Sequence, residues 1–174
     1  MIKLLGSFDR VAALPHSKAA REYAFVGRSN VGKSSLINAL VGSAAARVSN
    51  TPGRTRLFNL FEWDGVWLMD LPGYGYARVS RSDRTAWLER LEEYLTARRE
   101  LKLLFILVDS RRGIKDMDDI VTGFCEENEI PFKIVFTKRD KRDAKCAAAD
   151  RGIITSAKEK IGIDELKRII LGVA

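Results

Sequence analysis

Residues 27–35 read Gly27-Arg28-Ser29-Asn30-Val31-Gly32-Lys33-Ser34-Ser35. The spacing is G-x-x-x-x-G-K-[ST], a loop whose glycines let backbone N–H groups close around phosphate oxygens. In it a lysine (Lys33) reaches the β- and γ-phosphates and a hydroxyl (Ser34) takes one position on Mg²⁺. The flanks have the form such a loop needs. Tyr23-Ala-Phe-Val26 is a short apolar run that reads as a buried strand. Leu36-Ile-Asn-Ala-Leu40 continues as a helix, whose N-terminal dipole adds to an anion site. All nine residues, Gly27 through Ser35, are therefore expected to line a nucleotide's phosphates.

Outward from this loop, apolar runs alternate with amphipathic helical patterns. Leu57 to Trp63 alternates like a strand, Asp64-Gly65 is a hairpin signal, and Val66 to Met69 pairs back. Ser82 is a candidate N-cap for a helix running to about Arg99, with Leu88, Leu91 and Leu95 on one face and Arg98 and Arg99 at its C-terminal end. Leu103 to Val108 is a continuous apolar run, as a central parallel strand requires. Met117, Ile120, Val121 and Phe124 mark the next helix, which Pro131 follows. Phe132 to Phe136 and Ile153 to Thr155 are further strands, and Ile163, Leu166, Ile169 and Ile170 mark the last helix. This alternation predicts a three-layer α/β fold with helices on both faces of a mostly parallel six-stranded sheet, one edge strand being antiparallel. Residues 1–21 are expected to be a short extension packed on a single domain of residues 22–174.

Bulk properties fit a cytoplasmic globular protein. The chain has 174 residues, 46% hydrophobic and 30% charged, enough for one full core. No apolar stretch approaches a membrane span, and the start is too short for a signal-peptide core. Cys125 and Cys146 lack metal or redox spacing, and the only histidine, His16, argues against a Ser-His-Asp triad. Thirty Lys and Arg against 23 Asp and Glu leave a net charge of +7, which permits a nucleic-acid partner as readily as a solvated basic surface.

Further segments fall at the carboxyl ends of strands, where ligands of such sheets bind. Asp70-Leu-Pro-Gly73 offers a carboxylate for Mg²⁺ and a glycine N–H that can approach the γ-phosphate. Thr137-Lys138-Arg139-Asp140 fits the guanine pattern [N/T]-K-x-D. A carboxylate at Asp140 accepts from both N1–H and the 2-amino group of guanine, a donor pair adenine lacks, and the Lys138 stem lies along the base. Ser156 and Ala157, in Thr155-Ser-Ala-Lys158, resemble a segment whose alanine N–H reads guanine O6. Ser49 to Arg56 is a candidate switch loop. Its Thr55, favoured over Thr51 because it leads directly into the next strand, can complete the Mg²⁺ shell. The catalytic candidates are Lys33, Thr55 and Gly73, and the metal candidates Ser34, Thr55 and Asp70.

Together these segments resemble those of translation-factor-class P-loop GTPases with a Ras-like G domain. The nearer resemblance is to the EngB (YihA/YsxC) family of bacterial ribosome-biogenesis GTPases. It is carried by residues 27–38, Thr51-Pro-Gly-Arg-Thr55, Asp70-Leu-Pro-Gly-Tyr-Gly-Tyr-Ala77 and Thr137-Lys-Arg-Asp140. The resemblance implies GTP and GDP as ligands, Mg²⁺ as cofactor and slow hydrolysis. It further implies a role in large ribosomal subunit assembly linked to septation and cell division, rRNA as a partner of a monomer, and no membrane partner. Where Ras-like enzymes carry a water-orienting glutamine after the glycine of D-x-x-G, this chain has Tyr74. Slow turnover raised from outside follows. In related GTPases an asparagine at the Asn30 position helps hold K⁺; asparagine there also simply tolerates a tight loop. Arg78, Arg81 and Arg84 follow the second switch and are candidate RNA contacts, as is the Arg111-Arg112 pair.

Other classes weighed are a membrane-trafficking GTPase, for which no terminal lipidation motif is visible, and two more. A GTP-gated binding module, with hydrolysis incidental, shares every motif. An ATP-dependent P-loop kinase conflicts with the T-K-x-D segment.

Overall fold

The computed structural model describes residues 1–17, 20–45, 57–74, 80–141 and 152–172. Its strands are β1 (Ile2–Phe8), β2 (Glu22–Gly27), β3 (Phe58–Trp63), β4 (Val66–Asp70), β5 (Leu101–Asp109), β6 (Phe132–Thr137) and β7 (Ile153–Ile154). Its helices are α1 (Lys33–Val41), α2 (Arg81–Ala97), α3 (Asp116–Glu127) and α4 (Ile163–Leu171). They form one sheet in the order β1-β3-β4-β2-β5-β6-β7. The β3–β4 hairpin turns at Asp64 and Gly65, both with positive φ (47° and 82°), the pairing that suits the right-handed twist of its strands.

Among the described residues the sheet has seven strands, not the six expected from sequence. The extra one is β1, which pairs antiparallel with β3 from Ile2↔Trp63 to Phe8↔Phe58. The single antiparallel strand, β3, is consequently internal, and β1 is the edge. The first residues are thus part of the sheet rather than only packed on it. Their pattern gave little warning, because an edge strand on the rim shows mixed exposure, and Leu4 stays 53% exposed.

Alternation along the central strands builds two cores. On one face Tyr23, Phe25, Phe105 and Leu107 pack with Leu36, Ile37 and Leu40 of α1 and Ile163, Leu166 and Ile170 of α4. On the other, Ala24, Val26, Leu104 and Ile106 pack with Leu91, Tyr94 and Leu95 of α2 and Met117, Val121 and Cys125 of α3. Each fully buried aliphatic side chain contributes about 1.5–3 kcal/mol. The two clusters are the two sides of the three-layer fold. Ile120, expected on the buried face of α3, is 40% exposed. Asp118 and Cys125 take the buried positions instead.

Helix α2 begins two residues earlier than Ser82 implies. Ser80 is the N-cap, its hydroxyl accepting from the Asp83 N–H at 3.1 Å. The helix ends at Ala97, and Arg98 turns inward rather than facing solvent at the helix end. Its guanidinium is fully buried, bound to the Glu22 carboxylate and donating to the Pro15 carbonyl at 2.8 Å. The Tyr94 hydroxyl shares the same carboxylate. This ties the segment before β2 to the amino end of the sheet, opposite the loops that carry the motifs.

Candidate nucleotide site

The loop of residues 27–35 joins β2 to α1. Gly32 holds φ 102° as the residue before the helix, a conformation in which an L side chain is strained. Asn30 lies in the left-handed region at φ 62°, where asparagine is among the few non-glycine residues tolerated. Lys33, in the first turn of α1, ion-pairs with Asp70 at the end of β4. Both side chains are shielded, and Asn59 Nδ2 lies 3.5 Å from the second Asp70 oxygen. Lys33 and Asp70 are therefore brought together. Ser34 lies in the same helical turn.

The chain after β4 lies against this loop like a short parallel strand. Ser29 N–H donates to the Tyr74 carbonyl at 2.7 Å, the Ser29 hydroxyl to the same oxygen at 3.1 Å, and Tyr74 N–H to the Gly27 carbonyl at 3.2 Å. Arg28 and Tyr74 are bridge partners. Gly73 also lies close to this loop: a Cβ there would stand 3.3 Å from the Gly27 oxygen and 3.5 Å from the Ser29 nitrogen.

The Tyr74 side chain points away from the loop. Its ring packs on Trp87 at 4.8 Å between centroids, and its hydroxyl donates to Asp118 of α3. Burial, reinforced by the neighbouring carboxylate, pushes the phenol far above its usual value. Burial likewise raises the Asp118 carboxyl, against hydrogen bonds from Tyr74 and the Lys115 N–H.

The T-K-x-D segment follows β6, two strands from β2. The Thr137 hydroxyl lies 2.6 Å from the Val31 carbonyl, within donating distance of it. Lys138, itself at φ 60°, donates to the Asn30 carbonyl and to Asp109 at 3.0 Å. Asp140 accepts from the Ser156 hydroxyl at 2.8 Å, and this bond holds its carboxyl below the usual range. Ser156 is fully buried and Ala157 partly so, in the turn after β7. The phosphate-loop, D-x-x-G, T-K-x-D and S-A-K segments thus converge along one edge of the sheet.

Two site features were not read from the sequence. Asp109 ends β5 beside the loop, and Asp118 receives Tyr74. An aspartate closing a central apolar strand was a readable signal for the first; the second depends on packing between helices. Arg111 forks onto Asp109 at 2.9 and 2.7 Å, while Arg112 is exposed. Arg81 and Arg84 are exposed at the start of α2. Thr51, Thr55, Arg78 and Cys146 lie outside the described residues. The Cys125 thiol is buried and pushed up to about 11, in keeping with a packing role. No helix among the described residues is long and apolar enough to cross a membrane.

A family profile described as "50S ribosome-binding GTPase" matches residues 22–138. The chain is 42% identical to the probable GTP-binding protein EngB of Aquifex aeolicus, over 98% of both chains. The chain belongs to the EngB family. It is 50% identical to the EngB of Mycoplasmopsis synoviae over 71% of this chain and 67% of that one. Among solved structures, a probable GTP-binding protein engB superposes with a TM-score of 0.69 at 24% identity, covering 87% of this chain and 97% of that one. Era in complex with MgGDPNP and part of 16S ribosomal RNA superposes at 0.64 with 23% identity, over 90% of this chain and 57% of that one. These two likenesses speak to the G-domain fold. As an EngB-family member the chain is a GTP-binding protein and a GTPase.

Proposed function

We propose that this GTPase is a Mg²⁺-dependent switch of low intrinsic turnover that acts on the large ribosomal subunit during its assembly. The observation that carries the proposal is the fate of Tyr74. It stands where a glutamine would orient water, yet its hydroxyl is buried and committed to Asp118. The chain offers no water-orienting group at that position, which supports a slow enzyme awaiting an external activator. The family's description as ribosome-binding supports the large subunit and its rRNA as that partner.

In this reading residues 27–35 cradle the phosphates, with Lys33 reaching the β- and γ-phosphates. Gly73 N–H faces the γ-phosphate. Asp140 and Lys138 hold the guanine, with Thr137 fixing their loop and Ser156 and Ala157 closing the far side of the base. Ser34, Asp70 and Thr55 offer hydroxyl and carboxylate oxygens, the donor class of Mg²⁺. A buried carboxylate beside the first turn of α1 supports the fit. When bound, the ion neutralises phosphate charge. We read residues 22–174 as the GTP-binding unit and residues 1–21 as an extension of it whose β1 adds a strand to its sheet. Arg81 and Arg84, exposed beside the second switch, suit phosphate contacts with RNA. K⁺ near Asn30 is a second activating route.

The test is GTP turnover with purified large subunits, in KCl and in NaCl, with ATP as control. Acceleration by subunits is expected. Unchanged turnover would favour a GTP-gated binding module, and equal rates in the two salts would remove K⁺.

A further inference from the structure

We infer that Asp109 is a positioning residue for guanine-nucleotide binding, acting through Lys138. The inference rests on the reading of Lys138 as a base-side contact. Asp109 is the last residue of β5, in register with Thr137 of β6, and its strand adjoins the phosphate-loop strand through Leu107 and Gly27. It is 8% exposed. One carboxylate oxygen accepts from the backbone N–H and Nε of Arg111 at 3.0 and 2.9 Å. The other accepts from the Arg111 guanidinium at 2.7 Å and from Lys138 Nζ at 3.0 Å.

The Arg111 fork fixes the plane of the carboxylate, so the oxygen offered to Lys138 has a defined position. A free lysine stem has many rotamers, and ordering it on binding would weaken affinity. Here the ammonium is held between two acceptors, Asp109 and the Asn30 carbonyl. Its stem runs over Gly32, where a Cβ would lie 3.5 Å from Lys138 Cε. Lys138 thereby bridges the guanine-reading loop and the phosphate loop from a fixed position. Burial alone would raise the Asp109 carboxyl, but its bonds to Arg111 and Lys138 outweigh that and hold it well below the usual range. The charge that Lys138 needs is thus kept throughout the neutral range.

The experiment is a double-mutant cycle on the full chain, read as GDP affinity with a fluorescent GDP analogue. Asp109→Asn should weaken GDP about tenfold, the scale of a charge-assisted pair. In a Lys138→Met background the same change should add less than about twofold. Thermal unfolding of both variants without nucleotide separates a folding defect from a positioning one. If Asp109→Asn does not fold, Asp109→Glu keeps the charge, displaces it by one methylene, and should still weaken GDP several-fold. Equal losses in both backgrounds, or unchanged affinity in either Asp109 variant, would overturn the inference while leaving Lys138 as a base contact. A Lys138→Met variant with full affinity would overturn the base reading and the inference with it.

Discussion

The hydroxyl of Tyr74 donates to the carboxylate of Asp118, tying the loop after β4 to the first turn of α3. The same residue's backbone is stitched to Gly27 and Ser29 of the phosphate loop. One tyrosine therefore connects the nucleotide loop with the α2–α3 layer. Tyr74→Phe keeps the ring against Trp87 but leaves an Asp118 oxygen buried with no O–H donor. The expected loss is about 1–3 kcal/mol of stability, the desolvation penalty of an unpaired polar group. Urea unfolding of the two proteins measures it, and a variant as stable as the parent would show that the bond contributes nothing net.

In the proposed site, Asp140 and Lys33 address the two ends of the ligand. Asp140→Ala should weaken GTP by about 10- to 100-fold, the range for hydrogen bonds to a charged acceptor, and leave weak ATP binding nearly unchanged. Parallel titrations with the two nucleotides check it, and equal losses for both would refute the guanine assignment. Lys33→Ala should abolish tight binding of GTP, and because it also strips Asp70 of its ion pair, it should lower stability without nucleotide.

The nucleotide edge of this molecule was legible because its chemistry is local. Gly27 to Ser35, Asp70 to Gly73 and Thr137 to Asp140 each carry their signal within a few consecutive residues at a strand end. What escaped reading depends on partners far apart in sequence. Arg98 looked like a helix-end charge, and only packing 76 residues away brings it to Glu22. Asp118 sits in a helical pattern whose apolar positions suggested Ile120 for the core, and Tyr74 claims it from 44 residues away. β1 was missed because a rim strand needs no strict alternation, and its antiparallel pairing with β3 spans some 50 intervening residues.

The buried Arg98–Glu22 pair gives a prediction remote from the ligand. Arg98→Met leaves the Glu22 carboxylate buried with only the Tyr94 hydroxyl. Removing one partner of a buried pair costs about 3–5 kcal/mol. Changing Glu22→Gln in addition should restore much of that, because the uncompensated charge is gone. Denaturant midpoints of the single and double variants measure this, and a double variant weaker than the single would contradict it.

Two aspartates should bend the pH dependence of stability in opposite directions. Asp109 is held below the usual carboxylate value when folded. As pH falls, the unfolded chain takes its proton first, near about 3.9, so the stabilisation by Asp109 is present above that value and is lost on further acidification. Asp118 is raised when folded. There the folded protein takes the proton first, and stability gained through this group grows as pH falls through its folded value toward the ordinary one. Unfolding free energies from pH 7 downward should therefore show the advantage of the parent over Asp109→Asn shrinking below about pH 4, and its standing relative to Asp118→Asn improving as that pH is approached. Slopes of the same sign for the two variants would mean that one of the carboxylates is not held as its partners in the fold require.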